Sequence, residues 1–276
     1  MNRALPCARD SRPPTPLDTR LLARQAGQLA WPLLLPFALL LLWWAAGHFA
    51  LITSQVLPGP DAVLATAHEL VAGGQLQEAV AISMQRVVLG FLAGCSVGAA
   101  LGASMGLSER ASDYLYPLLR MGAYVPLLGW LPLLMIWLGI GETLKVVLVA
   151  QAALLPVALN TCNAIRAVPA GLVEVGRTYG YGPGQRLLRI IFPAAFPAVW
   201  SSVRYALTKS WLALVVVELL ASSEGLGFLM VDSRQLYQLD AMLVAVATIG
   251  LIGFALDLGL ATVERHILRW RRGAFT

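Results

Sequence analysis

The chain has 276 residues, 58 % of them hydrophobic and only 13 % charged, with mean hydropathy +0.71. A soluble domain is about 45–50 % apolar and about 25 % charged, so this balance excludes an ordinary water-exposed fold and points to a bilayer. The net charge of +5 is carried by 18 Arg and 2 Lys, and its meaning lies in where those cations stand along the chain.

Residues 1–30 are polar and rich in Pro and Arg, with no small-residue cleavage site behind the apolar run that follows. They read as a flexible cytoplasmic tail and not as a cleaved signal. A helix crossing the hydrocarbon core needs roughly 20 mostly apolar residues. Six stretches meet that need: 33–52, 79–107, 115–140, 143–164, 194–221 and 241–263. After the first, Leu57-Pro58-Gly59-Pro60-Asp61 breaks the chain and starts a short helix. Asp61 is its expected cap and Val63, Leu64, Ala67 and Val71 its apolar stripe, laid along the outer membrane surface. The second stretch carries Gly90, Gly94, Gly98 and Gly102 four apart, which lets a neighbouring backbone come close. In the third, Pro117, Pro126 and Pro132 remove backbone donors. That makes it a candidate gate or pore lining with Trp130 and Trp137 as plugs, plain kinking being the alternative. Cys7, Cys95 and Cys162 are odd in number and lack metal-ligand spacing, so they read as small packing residues.

The connections orient the chain. With both ends in the cytoplasm, fourteen Arg fall inside: five in the tail, Arg110, four in the loop 165–193 and four from Arg265 on. The outer connections 53–78, 141–142 and 222–240 hold only Arg234. This asymmetry fixes the topology and removes a nucleic-acid partner, since the cations form a girdle beside lipid headgroups. Within or at the ends of the spans stand Arg86, Lys145, Arg204, Lys209, Glu218 and Asp257. Each costs ~2.5–3.5 kcal/mol at a helix centre unless it meets a partner or water. Depth pairs Arg86 with Glu218 near the outer surface and Arg204 with Asp257 near the inner one. Lys145 is expected to snorkel to the interface. Lys209 has no partner at its depth: it lines a path for an anionic solute, or it reaches a backbone carbonyl or a dimer interface.

The loop 165–193 carries the most information. Pro169 suits a helix start; Leu172, Val175, Gly176 and Tyr179 fall on one face, with Glu174 and Arg177 elsewhere. Gly180, Gly182, Pro183 and Gly184 stop that helix, a second short one follows, and Pro193 marks re-entry into the membrane. An uncovered apolar face on such a helix calls for a protein partner or a lipid surface.

Glu174, Gly180, Ile190 and Pro193 match in spacing the Glu-Ala-Ala…Gly…Ile…Pro loop of bacterial ABC importer permeases of the binding-protein-dependent type. Val175 and Gly176 stand at the two Ala positions and Phe192 at the Leu before the last Pro. The resemblance runs over about residues 30–270 and is to the sulfonate, taurine and nitrate importer permeases. It is carried also by Leu57-Pro58 with Pro60, by Ser83, Arg86, Gly90 and Phe91, and by Val125-Pro126-Leu127 through Pro132-Leu133. Trp137, Gly139, Gly141-Glu142, Lys145, Trp211, Glu218 and Gly225-Leu226-Gly227 complete the set.

The resemblance implies an all-α membrane protein of six transmembrane helices, the type I ABC importer permease fold. Residues 31–270 would form the permease domain and 271–276 a cytoplasmic C-terminal tail. Leu172, Glu174, Val175, Gly176, Tyr179, Gly180 and Pro193 would belong to the coupling helix and its loop, gripped by an ATPase subunit. The implied partners are two copies of that ATPase, a second permease in a homodimer, an external solute-binding protein and membrane lipid, in a bacterial inner membrane. ATP and Mg would be bound by the ATPase, and this chain would hold no cofactor and catalyse nothing. Its two lysines follow Leu144 and Thr208, so neither belongs to a phosphate-binding Gly-Lys-Ser/Thr turn. The rival readings are an ion-coupled secondary transporter, for which no half-to-half repeat is visible, and an intramembrane enzyme, for which His48 alone is no catalytic set.

Overall fold

The computed structural model describes residues 19–49, 53 and 56–268, with side chains from residue 34 onward. Cys7, Arg3, Arg9, Arg12, Arg269, Arg271, Arg272 and the tail 271–276 lie outside the described residues. Among the described residues every regular element is a helix, and the chain divides into two compact units, Met1–Pro60 and Asp61–Thr276.

The first unit holds α1 (Thr19–His48), which starts inside the stretch assigned to the tail. Its described apolar part is Leu34–His48, and residues 50–52 of the expected span 33–52 lie outside the described residues. The Trp43 indole N–H donates to the Pro58 carbonyl at 3.0 Å, tying the chain beyond the helix back to its last turns.

The second unit is built on two parallel helices, α3 (Gln75–Leu107) and α6 (Glu142–Arg166). Gly90, Gly94, Gly98 and Gly102 are buried along α3. A side chain on any of them would run into α6, at Val149, Ala150, Leu154 and Ala158 in turn. The matching order of contacts shows that both helices run the same way, and without side chains between them the two backbones touch. Two parallel helices require a return connection. It is made by α4 (Glu109–Tyr124) and α5 (Leu127–Leu138), bent by 101° at the break. Here the sequence expectation of one kinked span is corrected. Pro117 and Pro132 sit inside their helices without ending them, and Pro126 alone makes the elbow. Val125 and Pro126 are both extended (ψ 120° and 142°), as a residue before proline prefers.

α2 (Pro60–Ala72) begins at its proline, with Asp61 already in the first turn and not at the cap. Its inward side is Val63, Thr66, Ala67 and Leu70, whereas Leu64 and Val71 are exposed. The Thr66 hydroxyl donates to Asp240 at 2.6 Å and so turns the stripe away from the expected line.

Beyond the loop helices described below, α9 (Phe192–Ala221) runs antiparallel to α6, burying Ala206 against Ala153 and Val157 and Val217 against Leu144 and Leu148. α10 (Leu226–Gln235) turns the chain into α11 (Leu239–Ile267), where the Trp211 indole of α9 lies on Gly253 and donates to the Ile249 carbonyl at 3.2 Å. α3, α6 and α11 are each long and apolar enough to cross a membrane. The α4–α5 pair and the α9–α10 pair, the latter bent by 42°, qualify as broken spans. The described residues thus supply up to five of the six expected spans, and α1 supplies a shorter apolar helix.

Candidate functional site

Three places bring together the residues singled out above. The first is the loop 165–193. α7 (Ala170–Thr178) starts after Pro169, and its end is a complete Schellman turn. The Tyr181 N–H donates to the Gly176 carbonyl and the Gly180 N–H to the Arg177 carbonyl, both at 2.9 Å. Gly180 has φ +74°, a conformation that a side chain would strain. Leu172, Val175 and Tyr179 are exposed, Tyr179 at 77 %, on one apolar side. Gly176 does not share it: it is buried, and a side chain there would collide with Ile190. Glu174 is exposed and forms no ion pair among the described residues. α8 (Pro183–Arg186) is not a separate helix but runs through a π-helical turn, Leu187–Ile191, straight into α9. Pro193 follows that turn; its missing N–H and the bulk of its ring near the preceding turn fit a widened backbone. α7 is thereby clipped through Gly176 and Ile190 to the base of a long helix.

The second place is a buried charge cluster where the starts of α3 and α6 meet the end of α9. Arg86 and Glu218 are 2 % and 1 % exposed and pair at 2.8 Å. Glu142 then takes Arg86 in a fork, with both N–H···O distances 2.6 Å, and also takes Lys145 at 2.7 Å. The sequence does not pair Glu142, although its position three residues before Lys145 on one helix face is a readable signal. Lys145 accordingly does not snorkel; it is buried against Glu142. The Glu218 carboxylate also accepts the Ser83 hydroxyl at 2.8 Å and the Gly227 N–H at 3.0 Å, while Arg86 reaches the Glu224 carbonyl at 2.8 Å. Gly225 (φ +103°) lies against that carboxylate, where a Cβ has no room. Ser83, Arg86, Glu142, Lys145, Glu218 and Gly225-Leu226-Gly227, scattered in the sequence, are therefore one object. Near the middle of α9, Arg204 holds Asp257 by two bonds of 2.8 and 2.7 Å, with Glu264 at 3.4 Å. Glu264 stands seven residues beyond Asp257, on the same face of α11.

The third place is a cavity of about 540 Å³. It is walled by the α4–α5 elbow, by residues 151–159 of α6 and by residues 205–216 of α9. Its lining is apolar except for Gln151, Tyr205 and Lys209. The Lys209 ammonium lies 5.3 Å from the centre of the Tyr205 ring, a cation–π contact. The elbow residues Val125 to Leu128 face this space, as a pore lining requires, but the two tryptophans do not. Trp130 packs with Leu131, Leu134 and Leu148, and Trp137 is 67 % exposed away from the lining, so neither plugs the cavity.

Residues 88–269 match the family of binding-protein-dependent transport system inner membrane components. The chain belongs to this family. It is the permease subunit of an ABC importer, a multi-pass membrane protein that works with an ATPase and a binding protein. The permease is 37 % identical over 239 residues to a putative aliphatic sulfonates transport permease of Bacillus subtilis, covering 87 % of each chain. It is 33 % identical over 238 residues to the taurine transport system permease of Escherichia coli, covering 84 % of this chain and 86 % of that one. Among solved structures, the methionine ABC transporter in inward-facing conformations superposes with TM-score 0.60 at 16 % identity, over 68 % of this chain and 94 % of that one. An amino acid ABC transporter gives TM-score 0.57 at 18 % identity, over 72 % and 97 %. At such identities the likeness is one of fold. Within that fold the permease places a clipped, outward-facing helix at one end, a locked charge cluster at the other, and an open-sided cavity between them.

Proposed function

We propose that the permease moves a small sulfonate-like anion into the cytoplasm of a bacterium as a homodimer, powered by two copies of a separate ATPase that grip α7. The observation that carries this reading is the exposed side of α7, Leu172, Val175 and Tyr179, held rigid by the Schellman turn and by the Gly176–Ile190 contact. A free apolar side on a helix too short to span a membrane, yet clipped to the root of α9, suits a lever better than a lipid anchor. Motion of α7 reaches the cavity wall through α9 without a flexible joint.

In this mechanism the loaded binding protein docks on the outer connections, and ATP closes the ATPase dimer. The coupling helices come together, the cavity opens outward and accepts the solute, and hydrolysis restores the inward-facing state. ATP and the binding protein do this by binding the two states with different affinities. ATP and Mg sit on the ATPase, and the permease itself needs neither cofactor nor catalytic group. Both termini lie in the cytoplasm of the inner membrane, which the arginine asymmetry supports. The sulfonate-like solute is supported by the relatives transporting aliphatic sulfonates and taurine.

The test is the double variant Leu172→Asp with Tyr179→Asp. Expected is a permease that inserts and melts like the wild type but neither co-purifies with the ATPase nor supports ATP-driven uptake in proteoliposomes. Uptake that continues without bound ATPase, driven by an ion gradient, identifies a secondary transporter and refutes the reading.

A further inference from the structure

The ionisable groups within the spans are not treated alike. Arg86, Lys145 and Glu218 are paired in the cluster near the C-terminal end of α9, and Arg204 with Asp257 near its middle. Lys209 is exposed to the cavity and forms no ion pair or hydrogen bond among the described residues; its ammonium lies over the face of Tyr205. It stands between the two paired sites on α9, on the wall of the cavity. A cation held at this depth needs a counter-charge or water, and the cavity provides room for either.

The remainder of the lining narrows what the counter-charge is. Pro156 of α6 has no N–H, so the Ala152 carbonyl one turn earlier loses its helical donor, and both residues line the cavity. Gln151 stands beside that carbonyl. Across the space Leu127 and Leu128, the first turn of α5, also line it. Apart from Tyr205 and Lys209, everything else is hydrocarbon: leucines, valines, alanines and Pro126. The cavity thus offers one cation with three donors, an amide and an unfilled carbonyl, on walls suited to a short alkyl body.

We propose that Lys209 is the solute-selecting counter-charge of the pathway, and that the cavity binds an organic monoanion whose head group only accepts hydrogen bonds, an alkanesulfonate type, after the binding protein has released it. The inference rests on the reading of this chain as a small-anion importer and adds a second selection step, inside the membrane, to that made outside. Lys209 holds the head group, Tyr205 limits where the ammonium swings, Gln151 lies within reach of the head group's remaining oxygens, and the apolar walls take the alkyl body.

The test is equilibrium binding of labelled ethanesulfonate to the purified permease–ATPase complex with the binding protein omitted. The wild type shows saturable binding that uncharged ethanesulfonamide does not displace. Lys209→Met weakens it about 10- to 100-fold, the range lost with one charge-assisted hydrogen bond. Lys209→Arg keeps most of it, and the melting temperature of both variants stays at the wild-type value. Absence of saturable binding in the wild type overturns the proposal. So does equal affinity in Lys209→Met, or an Arg variant as weak as the Met variant, because shape and not charge is then what matters. ATP-driven uptake by the same preparations separates the two levels. If uptake depends on α7 but not on Lys209, only this inference falls; if it does not depend on α7, the underlying reading falls with it.

Discussion

α9 carries two ion pairs built to opposite specifications, one near its C-terminal end and one near its middle. At its C-terminal end Glu218 and Arg86 are almost wholly buried and held by several hydrogen bonds, from Ser83 and Gly227 to Glu218 and from Arg86 to Glu218 and the Glu224 carbonyl. Near its middle the side chains of Arg204 and Asp257 are 36 % and 39 % exposed, and the third partner, Glu264, is loosely held. Charges withdrawn from water are strongly destabilising when one partner is lost, whereas exposed pairs contribute little and are screened by salt. The first pair is therefore a lock that fixes α3, α6, α9 and α10 together. The second joins α9 to α11 alone, through side chains that are only partly covered.

Substitutions sharpen the contrast in order of size. Arg86→Met leaves the Glu218 carboxylate buried with only neutral donors, and is expected to cost about 3–5 kcal/mol, read as thermal unfolding of the purified permease in detergent. Gly94→Val forces a side chain into the Ala150 carbonyl across the α3–α6 seam and should cost about 1–3 kcal/mol in the same assay, because the two backbones have to part. Asp257→Asn should lower the melting temperature least, and raising the salt concentration should shrink even that difference. The exchange Arg204→Asp with Asp257→Arg should recover both stability and uptake, while the corresponding exchange at Arg86 and Glu218 should recover neither, since Glu142, Ser83 and Gly227 hold those charges in one orientation. If Asp257→Asn proves as damaging as Arg86→Met, the contrast between a locked and a loosely held pair is wrong.

Much of this was readable in advance because a bilayer leaves few alternatives. Charged groups in lipid must find partners, so matching depth was enough to pair Arg86 with Glu218 and Arg204 with Asp257. Glycines at four-residue spacing had to face a backbone, and they face α6. Other features depended on what lay opposite. Glu142 is a third partner only because α3 and α6 run parallel and bring Arg86 beside the start of α6. On α7 the sequence places Gly176 with Leu172, Val175 and Tyr179, since a helical wheel allows a wide apolar side; Ile190 takes Gly176 out of it. Trp130 and Trp137 look like plugs by size, yet the elbow at Pro126 points α5 so that Trp130 packs into Leu131 and Leu134 and Trp137 points away from the lining.

The amino-acid order alone determined that this is a membrane protein, roughly where its helices run, which side its arginines favour and which loop stands ready for a partner. All of these follow from short-range rules: hydropathy over one helix length, proline and glycine geometry, and charge near lipid headgroups. Tertiary structure alone decided the right-angled return of α4 and α5, the closure of the charge cluster by Glu142 and the cavity beside Lys209. Each of these depends on which surfaces, distant in sequence, exclude lipid and water from one another.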